Sequence, residues 1–239
     1  MTTIPENIPF KISTTDPASS VRLMESVVVG QLGQTLDGCI ATHTGDSKYI
    51  NSESGLRHLH ELRAVVDTVI VGVGAVNEDN PSLTVRLCDG SNPVRVILDP
   101  RGRVDLNSSL FRDGGPKVII VTCEETDHPA CDRFEVVKLP CSDHYIDPCK
   151  IVAALNDRGY KKILVEGGNT TLSRFMDAQA IDRLHLIVAP MIMGAGLPGL
   201  NLSPIEKLNQ AIRPEVTVFP LGSDIVFDCD LRANKEAVA

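Results

Sequence analysis

Short apolar runs recur along the chain without alternating polar residues. The runs cover residues 26–29, 69–73, 94–98, 118–121, 163–165 and 184–189. Uniformly apolar strands suit a sheet that is covered on both faces, and such sheets are mostly parallel. The runs therefore predict an α/β fold with a mostly parallel central sheet flanked by helices.

Helical patterns lie between these runs. The clearest covers residues 53–66, with Ser52 as its N-cap. Its apolar residues at helical spacing are Leu56, Leu59, Leu62 and Val66. Shorter helices are predicted at 148–155 and 171–178, because apolar residues recur there with the same period.

Two apolar segments near the C-terminus, 216–219 and 225–230, flank the turn residues Pro-Leu-Gly-Ser-Asp. They predict an antiparallel hairpin at the edge of the sheet. The chain has 239 residues, which is the length of one large domain. We expect this domain to cover residues 21–232, between a loose arm at 1–20 that is rich in Thr, Ser and Pro and a tail at 233–239.

Charge and hydropathy exclude two classes of partner. The net charge is −8, and no cluster of Lys and Arg is dense enough to bind a nucleic-acid backbone. The apolar runs are far shorter than the about 20 residues that cross a bilayer, so no membrane partner is expected. Because the N-terminus lacks the pattern of a secretory signal, we expect a cytoplasmic protein.

The seven cysteines are scattered without C-x-x-C spacing. This usage is typical of free thiols in a reducing compartment, so we expect neither a disulfide framework nor a structural zinc site. The six histidines form no H-x-x-x-H or H-E-x-x-H pattern. No metal site is therefore predicted.

Paired glycines follow the predicted strand 163–165 in the sequence Leu-Val-Glu-Gly-Gly-Asn-Thr-Thr. Gly167 and Gly168 would let a ligand approach the backbone, and the N–H groups at the start of a helix attract a phosphate. An ordinary strand-to-helix turn with a positive φ would explain the glycines without a ligand. Glu166, an ionisable residue at the end of an apolar strand, favours a binding site.

A second glycine-bearing segment at 71–81 reads Val-Gly-Val-Gly-Ala-Val-Asn-Glu-Asp-Asn-Pro. It matches the start of a dinucleotide fingerprint, but Asn77 stands where that fingerprint needs glycine and Pro81 prevents a long helix. A conventional Rossmann site is therefore disfavoured. A strand that ends in a glycine turn explains the segment as well as a ligand does.

Two arginines are candidates for binding a phosphate. Arg63 lies on the apolar face of the helix at 53–66, where its charge needs an anion. A buried carboxylate such as Asp37 or a ligand phosphate could supply that anion. Arg86 could bind the same phosphate or could be a solvated surface residue. Asp37 itself begins an Asp-Gly pair, which is most often only a turn.

Six segments, taken in order, resemble the reductase domain of riboflavin biosynthesis. They are T-L-D-G-x-I-A (35–41), G-D-S-x-Y-I (45–50), L-R-A (62–64), G-V-G-A-V-x-x-D-N-P-x-L-T-V-R (72–86), V-I-L-D-P (96–100) and L-V-E-G-G (164–168). The resemblance covers about residues 22–230. It implies a dihydrofolate-reductase-like fold, a homodimer, and reduction of the ribosyl group of a phosphoribosylamino-pyrimidine to ribityl with NADPH. The family's fused zinc deaminase carries H-x-E and P-C-x-x-C motifs, which the chain lacks, so a stand-alone reductase is expected.

The resemblance also implies a set of site residues. The implied substrate contacts are Ser47, Arg63, Leu83, Arg86 and Glu166. The implied NADPH contacts are Tyr49, Gly74, Ala75, Asp79, Gly167, Gly168, Asn169, Thr170, Thr171, Leu172, Ser173 and Arg174. Arg63 and Arg86 would grip the 5′-phosphate, and hydride would reach the anomeric carbon of the opened ribose near Asp37. Asp37 and Glu166 are the expected catalytic residues. The resemblance implies a preference for NADPH over NADH; Arg101 and Arg103, which follow a predicted strand, could bind its 2′-phosphate or could be solvated turn residues.

Three positions depart from the family pattern: Thr35 replaces Ser, Ala75 replaces Thr, and Asn80 replaces Asp. Two alternatives therefore stay open. One is an NADPH reductase of another heterocycle, such as a pterin or dihydrofolate, which would be favoured if Arg63 and Arg86 were salt-bridged within the fold. The other is a non-catalytic nucleotide-binding regulatory module. The sequence also leaves open whether the pyrimidine carries a 2-amino or a 2-oxo group.

Overall fold

A ten-stranded sheet forms the centre of the protein, in a computed structural model that describes residues 10–128 and 131–233. The strands of the structure are β1 (Phe10–Ile12), β2 (Val27–Thr35), β3 (Cys39–Thr42), β4 (Thr68–Gly72), β5 (Val94–Leu98), β6 (Val118–Cys123), β7 (Glu135–Leu139), β8 (Cys141–Ser142), β9 (Tyr145–Ile146), β10 (Lys162–Glu166), β11 (Arg183–Ala189), β12 (Gly196–Pro198), β13 (Glu215–Leu221) and β14 (Asp224–Asp230). The helices are α1 (Ser19–Arg22), α2 (Glu53–Val65), α3 (Val73–Asp79), α4 (Pro148–Asn156) and α5 (Asn169–Asp177).

The strands of the large sheet follow the order β1-β13-β14-β11-β2-β10-β4-β5-β6-β7. Neighbouring strands run parallel except in the pairs β13–β14 and β14–β11. The predicted mixed α/β class, the mostly parallel sheet and the C-terminal antiparallel hairpin are therefore confirmed. The hairpin is not the edge of the sheet, because β1 pairs with β13 outside it.

The predicted loose arm is corrected over residues 10–20. Phe10–Ile12 pairs with residues 216–218, and Ala18 and Val21 are fully buried. A three-residue strand carries too little periodicity to be recognised in the sequence, because its signal resembles that of any short loop. The remainder of the arm, residues 1–9, and residues 234–239 of the predicted tail lie outside the described residues.

Helices cover both faces of the large sheet. Along β4, Val69 and Val71 pack in a cluster with α1, α2 and α3, while Ile70 packs in a second cluster with α4 and α5. Successive residues of a strand point to opposite faces, so a strand between two helical layers must be apolar throughout. The uniform apolar runs of the sequence are explained by this three-layer arrangement. No helix among the described residues has the length and apolar character that a membrane span needs.

Helix α2 begins as predicted, because the Ser52 hydroxyl accepts the Gly55 N–H at 3.3 Å. The buried face of the helix differs from the prediction at its first turn. Leu62 is fully buried, but Leu56 is 42% exposed. One residue turns an α-helix by about 100°, so Leu56 points away from the face that Gly55 presents to the core.

We predict that Leu62→Ala destabilises the protein by about 2 to 5 kcal/mol, because it leaves a cavity between α2 and the sheet. Leu56→Ala makes the same chemical change on the same helix at an exposed position and should cost about 0.5 kcal/mol or less. Urea denaturation of both variants measures the difference. Equal losses would show that α2 does not present residue 62 to the core.

Candidate active site

A cleft of about 720 Å³ opens at the carboxyl ends of β4, β5 and β10. Gly72 and Leu98 end two of these strands, and both line the cleft. The helices α3 and α5 leave from the same edge of the sheet and contribute their first residues. Parallel α/β proteins bind ligands at this edge, and the volume suits a cofactor-sized molecule.

The paired glycines form the turn from β10 into α5. Gly167 has φ +125°, which a side chain would strain, so the turn itself requires a glycine there. A Cβ atom added to Gly168 would meet no atom within 4 Å, so this residue faces open space. The backbone N–H groups of Asn169 and Thr170 have no acceptor among the described residues. The segment therefore satisfies both interpretations of the sequence, a turn that needs glycine and a place where a phosphate fits.

Most of the predicted cofactor contacts line the cleft. They are Gly74, Ala75, Asp79, Gly168, Asn169, Thr170, Thr171 and Arg174, together with the predicted substrate contact Ser47. Arg101 and Arg103 also lie in its wall. The short helix α3 ends at Asp79, and its C-cap Asn80, with φ +44°, directly precedes Pro81, so no long helix of the Rossmann type follows β4.

Four predicted cofactor contacts lie elsewhere. Leu172 and Ser173 are buried on the inner side of α5, as helical periodicity requires of residues that follow its exposed first turn. Gly167 lies in the turn before Gly168, and Tyr49, which is 83% exposed, lines a second, smaller cleft together with Asn51 and Met191. These four residues are not among those that line the large cleft.

Arg63 and Glu166 form a buried ion pair. The guanidinium donates from Nε to Glu166 Oε1 at 2.7 Å and from Nη2 to Glu166 Oε2 at 2.6 Å, and it donates from Nη1 to the Thr84 carbonyl at 3.2 Å. Burial lowers the pKa of Arg63, but the attraction of Glu166 outweighs burial and raises it. The carboxylate that satisfies Arg63 is therefore Glu166 and not Asp37. Both side chains, predicted to face a substrate separately, are occupied by each other.

Arg86 is the predicted phosphate contact that lies free of such pairing. It is exposed, and no carboxylate among the described residues lies within salt-bridge distance of it. Its Nη1 donates to the Thr84 hydroxyl at 2.9 Å, and its backbone N–H donates to His60 Nδ1 at 2.9 Å. A reductase of another heterocycle would be favoured if both arginines were salt-bridged within the fold, and only Arg63 is. Arg86 and the buried Leu83, the other predicted substrate contact on this segment, do not line the large cleft.

Asp37 lies outside the residues that line the cleft. Its carboxylate accepts the Thr35 hydroxyl, the Met193 N–H at 3.0 Å and the Gly194 N–H at 2.7 Å. The Thr35 hydroxyl and these two N–H groups hold the pKa of Asp37 down to about 2. Asp37 therefore stays ionised at neutral pH and cannot donate a proton there. The carboxylate anchors the loop at 193–194, and the catalytic role expected of Asp37 stays a prediction.

Sequence reasoning missed the wall of the cleft that the β8–β9 hairpin supplies. Asp143, His144 and Ile146 line the cleft, and the Arg174 guanidinium lies 5.5 Å from the centre of the Tyr145 ring. Asp143 and His144 both have positive φ and form the two-residue turn. Such turns usually contain Gly or Asn, so Asp-His gave no turn signal.

A disulfide joins Cys123 at the end of β6 to Cys141 at the start of this hairpin, which corrects the prediction of free thiols. The parallel pairing of β6 with β7 places Cys123 opposite Leu139, which is two residues before Cys141. The cysteines are 18 positions apart in sequence, and their Cα atoms lie 5.6 Å apart in the structure. Glu125 also lies near both sulfurs of this disulfide, and no other group of three Cys, His, Asp or Glu side chains converges in this way among the described residues.

Comparison with known proteins gives a consistent picture. The family model described as the RibD C-terminal domain matches residues 26–219. A protein of Methanothermobacter thermautotrophicus, named 2,5-diamino-6-ribosylamino-4(3H)-pyrimidinone 5′-phosphate reductase, is 33% identical over 86% of this chain and 98% of its own. The riboflavin biosynthesis protein RibD of Aquifex aeolicus is 34% identical over 81% of this chain but only 54% of its own length.

A solved structure agrees with these relatives. The Thermotoga maritima diaminohydroxyphosphoribosylaminopyrimidine deaminase/5-amino-6-(5-phosphoribosylamino)uracil reductase matches with a TM-score of 0.73 and 31% identity, over 86% of this chain and 56% of that one. The likeness confirms the predicted fold class. The chain spans about half the length of the Aquifex and Thermotoga proteins and nearly the whole length of the Methanothermobacter reductase.

We predict that Arg63→Met destabilises the protein by about 3 to 5 kcal/mol, because it leaves the buried Glu166 carboxylate without its cation. The double variant Arg63→Met with Glu166→Leu should lose less than the sum of the two single changes, since no isolated charge remains buried. Denaturant unfolding of the four proteins gives the coupling free energy. Strictly additive losses would contradict the buried pair.

Proposed function

Because the chain belongs to the RibD C-terminal domain family, we propose that it reduces the ribosyl group of a 5-phosphoribosylamino-pyrimidine to ribityl with NADPH in riboflavin biosynthesis. The cleft carries this proposal, since its unpaired N–H groups at the start of α5 face the same space as Ser47. The name and the near-complete match of the Methanothermobacter relative support the 2,5-diamino form of the pyrimidine as substrate. The homodimer that the family resemblance implies and the cytoplasmic location expected from the sequence belong to the same proposal.

NADPH fits the residues that line the cleft. Its pyrophosphate would lie over the N–H groups of Asn169 and Thr170, where the helix dipole adds to the attraction. Arg101 and Arg103 supply cations in the wall for a 2′-phosphate, which supports a preference for NADPH over NADH. Ala75 offers only a methyl group and its backbone at the position of the usual threonine. Bound in this cleft, NADPH would supply the hydride.

The substrate would be oriented by its phosphate, at a distance from the reacting carbon. Arg86 offers an exposed guanidinium with most of its N–H groups available, and Ser47 offers a hydroxyl at the cleft. Arg63 would not bind the phosphate, because Glu166 neutralises its charge. It would instead hold the backbone of the segment before Arg86 through the Thr84 carbonyl. Binding energy from the phosphate would then position the anomeric carbon for reduction.

Gly168→Val should weaken NADPH binding with little effect on stability, and Gly168→Ala should weaken it less. Residue 168 has an ordinary φ of −64°, so a side chain strains no backbone but projects into the open space of the cleft. Calorimetric titration with NADPH measures both affinities, and thermal unfolding checks the fold. An unchanged affinity in the valine variant would contradict a pyrophosphate at this turn.

Arg86→Ala should lower kcat/KM for the phosphorylated substrate about 10- to 150-fold, since a charge-assisted contact contributes roughly 1.5 to 3 kcal/mol. The affinity for NADPH should stay the same. The control is the dephosphorylated substrate, which should react poorly with the native enzyme and be hardly affected by the substitution. Equal losses with both substrates would mean that Arg86 does not bind the phosphate.

A further inference from the structure

The segment that carries Arg86 is held in a conformation that its sequence does not favour. Leu83 has φ +54°, in the left-handed region, although it is neither glycine nor asparagine. Its side chain is buried in the core cluster shared with α2. A branched side chain in this region of φ persists only where surrounding contacts hold it, and such residues concentrate at functional sites.

Three hydrogen bonds hold the segment after Leu83. Arg63 Nη1 donates to the Thr84 carbonyl at 3.2 Å, the Val85 N–H donates to Asn92 Oδ1 at 2.7 Å, and the Arg86 N–H donates to His60 Nδ1 at 2.9 Å. Two of the three partners lie on α2, one turn apart. Only the bond to His60 involves the backbone of Arg86.

His60 is suited to be a permanent acceptor. It is 5% exposed, and burial together with the charges of Arg63 and Arg86 lowers its pKa to about 4, against a smaller opposing effect of the Thr84 carbonyl. The imidazole is therefore neutral at physiological pH. Since Nδ1 accepts the Arg86 N–H, the proton of the neutral ring lies on Nε2.

We propose that His60 is a positioning residue that fixes the backbone of Arg86 so that its guanidinium meets the substrate's phosphate. The inference rests on the proposed function and adds to it a residue that touches neither substrate nor cofactor. A guanidinium recognises phosphate through a rigid fork of N–H groups, so the direction in which its chain leaves the backbone decides whether the fork can engage. A misplacement of about 1 Å at such a contact can cost up to about 100-fold in rate.

The test compares two substitutions of His60. His60→Phe keeps a ring of similar shape but removes the acceptor, whereas His60→Asn places an amide oxygen close to the position of Nδ1. We expect His60→Phe to raise the Kd of the phosphorylated substrate about tenfold and to leave the Kd of NADPH and of the dephosphorylated substrate within about twofold. His60→Asn should recover most of the lost affinity. In an Arg86→Ala background, His60→Phe should have no further effect on the phosphorylated substrate.

The outcomes separate this inference from the proposed function. If Arg86→Ala loses phosphate discrimination but His60→Phe keeps it, the positioning role is wrong and the proposed function stands. If Arg86→Ala keeps the discrimination as well, the phosphate contact of the proposed function and the inference both fail. Should His60→Phe not fold, His60→Gln, which moves the amide by one carbon, is compared with His60→Asn. Equal affinities of those two variants for the phosphorylated substrate would overturn the proposal.

Discussion

The buried pair of Arg63 and Glu166 joins helix α2 to the carboxyl end of β10, at the edge of the sheet where the cleft lies. Glu166 ends β10 and directly precedes the glycine turn, and Arg63 lies near the end of α2. The third donor of the guanidinium reaches the Thr84 carbonyl, so the same side chain also holds the segment that carries Arg86. Two charges can stay buried here only because each satisfies the other with good geometry. The position of α2 relative to β10 therefore sets the geometry of both the glycine turn at 167–168 and the segment 83–86.

The charged and polar groups that line the cleft come from separate elements of the fold. The helix α5 offers backbone N–H groups and Arg174, and the turn after β5 offers Arg101 and Arg103. Glu78 and Asp79 line the same space on α3, where carboxylates suit hydroxyl groups better than phosphates. The protein as a whole carries a net charge of −8, so these local cations and N–H groups, and not the overall field, must attract an anionic ligand.

The sequence predicted those features that depend on residues close in the chain. The apolar runs identified six strands of the sheet, Ser52 marked the start of α2, and Gly167 and Gly168 marked the turn into α5. Features that depend on distant contacts were missed or misassigned. The partner of Arg63 lies 103 residues away, so spacing could not distinguish Glu166 from Asp37. The disulfide depends on the register of β6 with β7. The turn of the β8–β9 hairpin, Asp143 and His144, carries no local sequence signal.

The central claim is that the cleft binds NADPH beside a phosphoribosylamino-pyrimidine and that the ribosyl group is reduced there. The most direct measurement is a single-turnover reaction of the purified protein with NADPH and 2,5-diamino-6-(phosphoribosylamino)pyrimidinone, followed by the loss of NADPH absorbance and by the mass of the product. The account predicts that each NADPH oxidised yields one product heavier than the substrate by two hydrogen atoms. Tight binding of both ligands without oxidation of NADPH would contradict it and would favour a regulatory nucleotide-binding module.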